Sequence, residues 1–315
     1  MEMVDEMYMR RCLQLARNGE RNAPPNPMVG AVVVAPDGRI IGEGYHVRCG
    51  EGHAEVNALA SVKAEDERLL KEATIYVSLE PCAHYGKTPP CADLIVERGL
   101  RRCVVGCIDP FAKVGGRGIE ILRRAGVEVT VGVLEDECLW LNRRFMTYHR
   151  LHRPYITLKW AQTADGVIGV AGEQLRISNR LTQMICHKRR AEHEAILVGR
   201  RTQETDCPSL TVRAWVGASP RRYVLSRATG DMTAVLQQMY EQGVQSLLVE
   251  GGRETLQGFI DAGLWDEAFV ETSPQMLAEL LPSAVQSVAA PTLKNARKTG
   301  TERVLGHTID AYVRQ

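Results

Sequence analysis

The sequence predicts an α/β protein of two domains, each a sheet covered by helices on both faces. Three observations predict it. The chain has 315 residues, more than one compact core usually holds. Short apolar runs of strand length alternate with segments of helical period along both halves. A polar, proline-terminated stretch, Arg150-Leu151-His152-Arg153-Pro154, interrupts that alternation, so the expected boundary divides 1–150 from 151–315.

The elements follow in order. Asp5 is expected to cap a helix running to about Asn18, because Met9, Cys12, Leu13 and Ala16 recur at helical spacing. The Pro24-Pro25-Asn26-Pro27 cluster stops it. Met28 to Ala35 reads as a buried strand, Pro36-Asp37-Gly38 as a hairpin turn and Arg39 to Tyr45 as the return strand. Helices are expected from His53 to about Lys63, Cys91 to Gly99, Gly118 to Ala125 and Glu135 to Tyr148. Strands are expected at Ala73–Leu79, Arg102–Cys107 and Val127–Val133. In the second half, strands at Tyr155–Ala161, Glu194–Val198, Tyr223–Leu225, Ser246–Glu250 and Glu267–Glu271 accompany helices at Arg180–Arg190 and Thr255–Ala262. The stretch from Pro282 to Arg303 shows no readable period.

Composition narrows the function. A 44% hydrophobic, 24% charged chain is globular rather than disordered. A formal net charge of +1 offers no general attraction to nucleic acid. Two acids precede any apolar run at the N-terminus, unlike a signal peptide. The longest apolar run, Met28 to Ala35, falls far short of the roughly 20 residues that span a bilayer. Nine scattered cysteines, an odd number, point to reduced thiols or metal ligands rather than a disulfide scaffold. The expectation is a cytoplasmic protein with a small-molecule substrate and neither nucleic-acid nor membrane partners. A homo-oligomer is left open.

The most informative residues are His53-Ala54-Glu55, Glu80-Pro81-Cys82 and Pro90-Cys91. One imidazole and two thiolates hold Zn²⁺ and leave a fourth position for water, whose pKa falls to about 7. A carboxylate that is not a ligand can take the water proton and then pass protons to the ring nitrogen and the leaving ammonia. Glu55, two residues after the candidate ligand His53, fits that part, and the expected chemistry is hydrolytic deamination at an aromatic amidine carbon. Other readings stay open: unligated buried cysteines, a surface histidine, or a closed structural zinc site with Cys49 as fourth ligand. The Gly115-Gly116-Arg117-Gly118 run before a helix lacks the lysine of a P-loop and reads as a tight turn.

Cys82 and Cys91 have eight residues between them, where the general deaminase pattern has two. That long loop, with Asn26-Pro27-Met28-Val29-Gly30 and Gly44-Tyr45-His46, resembles the deaminase domain of the bifunctional riboflavin-biosynthesis deaminase/reductases. The resemblance implies a three-layer, cytidine-deaminase-like fold over the first 150 residues. It implies that Asn26 hydrogen-bonds the pyrimidine, and that His46, His84 and Lys87 line the pocket, with Lys87 a phosphate contact. From the residues alone, Asn26 could form only a turn and His46 could be a satisfied strand histidine.

The second half has no Gly-x-Gly-x-x-Gly. Leu248-Val249-Glu250-Gly251-Gly252 is a strand, then glycines, then a helix. Such glycines let backbone N–H groups approach an anion, and they also end many ordinary strands. Lys159 to Gly166, Ala195 to Arg213 and Val249 to Gly252 resemble the reductase of the same bifunctional family. The resemblance implies a dihydrofolate-reductase-like fold and NADPH as cofactor. Ala161, Thr202, Asp206, Ser226 and Gly252 would touch that cofactor. Lys159, Arg190, Leu210, Arg213 and Glu250 would hold the substrate, although by itself Arg190 or Arg213 reads as a solvated surface charge.

The chain departs from the family at Gln174 and Arg176, where a serine and a tryptophan are usual, and at Cys207, where a second acid follows Asp206. The Ser226–Val249 segment is also short, so the second domain is a shortened one. The implied reactions are deamination of 2,5-diamino-6-ribosylamino-4(3H)-pyrimidinone 5′-phosphate and NADPH-dependent reduction of its ribosyl group to ribityl. Two rival expectations are a deaminase joined to a degenerate structural domain and a nucleic-acid base deaminase.

Overall fold

The computed structural model describes residues 2–85, 89–110 and 115–315. It divides into two compact units, Met1–Leu151 and His152–Gln315.

The first unit begins with helix α1 (Glu2–Ala16). Asp5 lies inside this helix and does not cap it. The residue is only 5% exposed, and its carboxylate accepts from Arg102 at 2.9 and 2.8 Å and from the Tyr76 hydroxyl at 2.8 Å. A carboxylate so placed belongs to a tertiary pair rather than to free helix amides. Strands β1 (Gly30–Val34) and β2 (Ile40–Tyr45) form the expected hairpin. Then come α2 (Ala54–Ala60), β3 (Thr74–Leu79), α3 (Cys91–Glu97), β4 (Arg102–Cys107), α4 (Arg117–Arg124) and β5 (Glu128–Val131).

The helix expected over Glu135–Tyr148 is two helices, α5 (Glu135–Leu141) and α6 (Arg143–Leu151). Asn142 separates them at φ −100°, ψ 20°. Its side chain is engaged on the backbone of Met28.

The strand order is β2-β1-β3-β4-β5. β1 is antiparallel to β2 and β3, while β3, β4 and β5 are parallel. Side-chain alternation sends Ala31, Val33, Ile75, Val77, Cys103 and Val105 to one face, against Ala58, Ile95 and Leu122. Val32, Val34, Tyr76 and Val104 face the other way, against Met9, Cys12 and Cys138. The result is three layers. On the first face α2 lies so close to β2 that a Cβ on Gly44 would stand 2.3 Å from the Ala58 nitrogen. That close approach sets where the start of α2, and with it His53, falls.

The second unit contains β6 (Tyr155–Gln162), β7 (Val167–Val170), α7 (Arg180–Ala191), β8 (Ala195–Gly199), α8 (Arg200–Asp206), β9 (Arg221–Leu225), α9 (Met232–Glu241), β10 (Ser246–Val249), α10 (Arg253–Asp261) and β11 (Glu267–Thr272). It ends with α11 (Leu277–Leu280), β12 (Ser287–Ala289), β13 (Ala296–Val304) and β14 (His307–Arg314). The main sheet runs β13-β14-β11-β6-β10-β8-β9. Its five central and edge strands β11, β6, β10, β8 and β9 are parallel, and the β13–β14 hairpin joins antiparallel. One face buries Leu158, Leu197, Met239, Phe259 and Trp265. Helix α7 crosses the other, where the His193 ring lies 2.9 Å from the Thr157 hydroxyl. A single helix, α9, fills the short segment between Ser226 and Val249. Among the described residues no helix is long and apolar enough to cross a membrane.

Candidate metal centre and second site

His53 is the residue before α2, in extended backbone at φ −69°, ψ 168°. Its Nδ1 stands 3.5 Å from Cys82 Sγ and 3.3 Å from Cys91 Sγ. All three ligand atoms lie within 4.8 Å of one another. A tetrahedral ion with ordinary Zn–N and Zn–S bonds holds nitrogen and sulfur about 3.6 Å apart, so the cluster fits zinc without rearrangement. Cys49 is exposed and outside the cluster. Among the described residues the donor set is therefore three, as the open-site reading requires.

Within the metal-free site the surroundings favour one thiolate, on Cys82. A hydrogen bond from the Cys91 thiol, with burial opposing and the His53 ring and the Cys91 backbone N–H assisting, pulls Cys82 down to about 4. In the metal-free pair Cys91 holds the shared proton and is pushed up. Glu55, in the first turn of α2, is 3% exposed. Burial, with the negative Cys82 adding and His53 opposing, pushes its carboxyl up to about 7. A carboxyl group in that range can both accept and return a proton near neutrality.

Glu80, to which sequence reasoning assigns no role beyond its place in the Glu80-Pro81-Cys82 motif, is a structural support of the site. Its buried carboxylate accepts from the backbone N–H groups of Gly116 (2.9 Å), Gly118 (3.0 Å), Asp109 (3.3 Å) and Ile119 (3.4 Å). The Gly115–Gly118 run is thus a turn wrapped around an internal carboxylate. A Cβ on Gly118 would stand 1.9 Å from the carbonyl oxygen of Pro81, next to Cys82. The available signal was the placing of Glu80 at the buried end of a strand, immediately before Pro81-Cys82.

Asn26 and His46 meet beside the cluster. Asn26 Nδ2 lies 3.1 Å from His46 Nε2, and His46 Nδ1 lies 3.1 Å from the Gly52 carbonyl oxygen. A carbonyl only accepts, so Nδ1 carries the hydrogen and Nε2 accepts from Asn26. His46 is therefore a neutral imidazole, and burial pushes its pKa down. Its ring stands edge-on to His53 at 5.4 Å. Both ring nitrogens of His46 are thus hydrogen-bonded, as the satisfied-histidine reading expects, and the ring lies beside the cluster. His84 is exposed in the loop between the two cysteines. Lys87 lies outside the described residues.

In the second unit the expected residues gather at the carboxyl ends of the parallel strands, where open α/β sheets bind ligands. Glu250 follows β10 and receives Arg190 Nε at 2.9 Å and Nη2 at 2.7 Å. Arg190 is thus no solvated surface charge, and the two residues expected to contact substrate separately are paired. Burial alone would lower the Lys159 pKa, but Cys186, Glu250 and Glu271 hold it above the ordinary lysine value. Arg190 Nη1 reaches the Thr211 carbonyl at 3.3 Å, and the Arg213 backbone N–H donates to His187 Nδ1 at 3.0 Å. These bonds fix the loop that carries buried Leu210, at φ +51°. The Arg213 guanidinium contacts the Ser209 hydroxyl.

Of the residues expected at the cofactor, Ala161 is near the end of β6 and Ser226 directly follows β9, in a turn closed by Thr229. Thr202 Oγ1 accepts from the Gly252 N–H at 3.1 Å, joining α8 to the start of α10. A Cβ on Gly252 would stand 3.0 Å from that oxygen. Asp206 ends α8, exposed at the surface, and partial desolvation raises the pKa of its carboxyl. Cys207 follows it, exposed and left-handed at φ +41°. A glycine-lined turn at strand ends, with a threonine and an acid beside it, suits a dinucleotide.

Comparisons with known proteins agree. The family model for the cytidine and deoxycytidylate deaminase zinc-binding region matches residues 2–107, and that for the RibD C-terminal domain matches 154–233 and 229–305. The chain is 37% identical to the riboflavin biosynthesis protein RibD of Aquifex aeolicus, covering 88% of each chain. It is 33% identical to RibD of Escherichia coli, covering 93% of this chain and 95% of that one. The structure of Acinetobacter baumannii RibD superposes over the whole of both chains with a TM-score of 0.88 at 28% identity. A Thermotoga maritima structure described as a diaminohydroxyphosphoribosylaminopyrimidine deaminase/5-amino-6-(5-phosphoribosylamino)uracil reductase superposes with a TM-score of 0.84 at 32% identity, over 100% and 99% of the chains. The zinc-binding region and the reductase domain make Zn²⁺ and NADPH the cofactors. With both domains in this order and relatives of this identity over most of its length, the chain belongs to the RibD family of bifunctional riboflavin-biosynthesis deaminase/reductases.

Proposed function

We propose that residues 1–150 deaminate 2,5-diamino-6-ribosylamino-4(3H)-pyrimidinone 5′-phosphate and that residues 151–315 reduce the ribosyl side chain of the product to ribityl. The observation that carries the first half is the three-donor cluster with a buried, unligated carboxylate beside it. Zinc held by His53, Cys82 and Cys91 supplies a solvent nucleophile at neutral pH. Glu55 would carry one proton from the attacking water to the ring nitrogen and a second from the newly formed hydroxyl to the amino group that departs as ammonia. Asn26 hydrogen-bonds the pyrimidine, and His46, His84 and Lys87 line the pocket, with Lys87 the phosphate contact.

In the second unit NADPH supplies the hydride. Ala161, Thr202, Asp206, Ser226 and Gly252 bind it at the strand ends. Lys159, Arg190, Leu210, Arg213 and Glu250 shape a cationic cradle for the ribose phosphate, in which the fixed charges position the sugar rather than shuttle protons. The protein works in the cytoplasm on small molecules and binds neither membrane nor nucleic acid.

The Glu55→Gln variant tests the first half. It should keep one zinc per chain and full reductase activity while deamination falls by roughly 10²–10⁴-fold. Near-normal turnover would remove Glu55 from its role. Gln174, Arg176 and Cys207 favour a second reading, in which the second unit is only a structural partner. Titration of the full chain with NADPH separates the two, because the structural reading requires that no saturable binding be found.

A further inference from the structure

Asn142 is 3% exposed at the break between α5 and α6. Its side-chain amide grips one residue from both sides. The Met28 backbone N–H donates to Asn142 Oδ1 at 2.8 Å, and Asn142 Nδ2 donates to the Met28 carbonyl at 2.9 Å. The two residues are 114 positions apart in the chain. Met28 precedes β1, whose ladder begins at Gly30, so the sheet pairing leaves its backbone groups to Asn142. A primary amide supplies a donor and an acceptor in one plane. A carboxylate lacks the donor, and a hydroxyl cannot span both groups.

What Met28 anchors is the run that carries Asn26 two residues earlier. Asn26 Nδ2 is committed to His46 Nε2 at 3.1 Å, which turns the amide so that Oδ1 is the atom left for a ligand. His46 is in turn tied to the carbonyl of Gly52, the residue before the zinc ligand His53. A continuous set of hydrogen bonds and short backbone links therefore runs from Asn142 through Met28, Asn26, His46 and Gly52 to the metal centre.

We propose that Asn142 is a positioning residue of the deaminase site, clamping Met28 so that the Asn26 carbonyl oxygen meets a donor N–H of the aminopyrimidine. The inference rests on the reading of Asn26 as a pyrimidine contact. Misplacement of a binding group by about 1 Å can cost about 100-fold in activity, so a clamp outside the pocket has a measurable effect.

The test uses the full-length, zinc-loaded Glu55→Gln protein, in which binding is read without turnover. The probe is the aminopyrimidine ribosyl phosphate substrate, followed by calorimetry. Asn142→Ala should weaken binding at least about tenfold, with zinc content and reductase activity unchanged. Asn142→Asp has the same shape and keeps the acceptor for the Met28 N–H. It should weaken binding in the same direction and covers the case in which the alanine variant does not fold. The double variant with Asn26→Ala should bind no worse than Asn26→Ala alone, because both changes act through one contact.

Unchanged binding in Asn142→Asp, or fold-losses that multiply in the double variant, would overturn the clamp. Loss of zinc along with binding in both Asn142 variants would do the same, by showing a general structural role. If Asn26→Ala itself binds like the parent, the reading of Asn26 fails too, an outcome distinct from failure of the clamp alone.

Discussion

Arg190 on α7 forms a two-pronged ion pair with Glu250 at the end of β10, at 2.9 and 2.7 Å, with side chains only 13% and 11% exposed. Matched guanidinium–carboxylate pairs of this kind are stronger and more directional than single contacts. The third prong of Arg190, to the Thr211 carbonyl, extends the pair into the loop bearing Leu210 and Arg213. The guanidinium therefore ties the end of α7 to both Glu250 and the loop at Thr211.

Removing it should be expensive. Arg190→Ala leaves the Glu250 carboxylate buried with only the Lys159 charge and the Cys186 thiol to balance it. Breaking a buried pair from one side costs about 3–5 kcal/mol. The expected outcome is a lowered urea midpoint for loss of reductase activity and a raised reductase KM, with deaminase activity untouched. Arg190→Lys should recover little, since an ammonium cannot reproduce the fork. A stability loss below about 1 kcal/mol would place the pair among ordinary surface contacts.

Gly118 should tolerate no side chain. The new Cβ would meet the Pro81 carbonyl at 1.9 Å, and that obstacle is backbone, not the flexible end of a side chain. Relief requires moving the Pro81-Cys82 segment or releasing Glu80 from the turn it holds. Gly118→Ala should therefore lose zinc on dialysis far faster than the parent, and deaminase activity with it. Metal analysis after timed dialysis checks this, and full retention of zinc would show that the α4 end of the turn gives way instead.

Metal removal should act on one unit only. Zinc bound by the native cluster and absent from the unfolded chain adds its binding energy to the stability of the first unit. Chelation, or Cys82→Ser, should lower the temperature at which deaminase competence is irreversibly lost, while the thermal inactivation of the reductase stays where it was. Thermal inactivation followed separately for the two activities measures this. Equal shifts in both would show that the units unfold together.

What could be read in advance was what is local. His53 and Glu55 are two residues apart, and the bounds of β4 come out at Arg102 and Cys107 as its apolar run implied. Asp5, Glu80 and Asn142 could not be read this way, because each answers to partners 29 or more residues distant. A lone acid near a helix start looks like a cap, and only the fold brings Arg102 to it. The strand β13 escaped for a different reason. Nearly all of its residues are exposed, so no alternation of apolar and polar residues marks it. Arg190 looked like a surface charge because nothing in its own helix shows that Glu250 lies opposite.

The Asp5–Arg102 pair makes the first unit sensitive to acid. Burial by itself would raise the Asp5 pKa, but hydrogen bonds from Arg102 and Tyr76 and the Arg102 charge outweigh it and hold the carboxyl below its ordinary value. In the unfolded chain the same group titrates near about 3.9, while Arg102 stays charged throughout. The folded state thus binds this proton less readily than the unfolded state, and the pair contributes its full stability above that pH. The contribution is lost as the pH falls below about 4 toward the depressed native value. Urea midpoints for loss of deaminase competence, compared for the parent and Asp5→Asn, should differ most from pH 5 upward and converge toward pH 3. A gap that stays constant down to pH 3 would assign the acid sensitivity of this unit to other carboxylates.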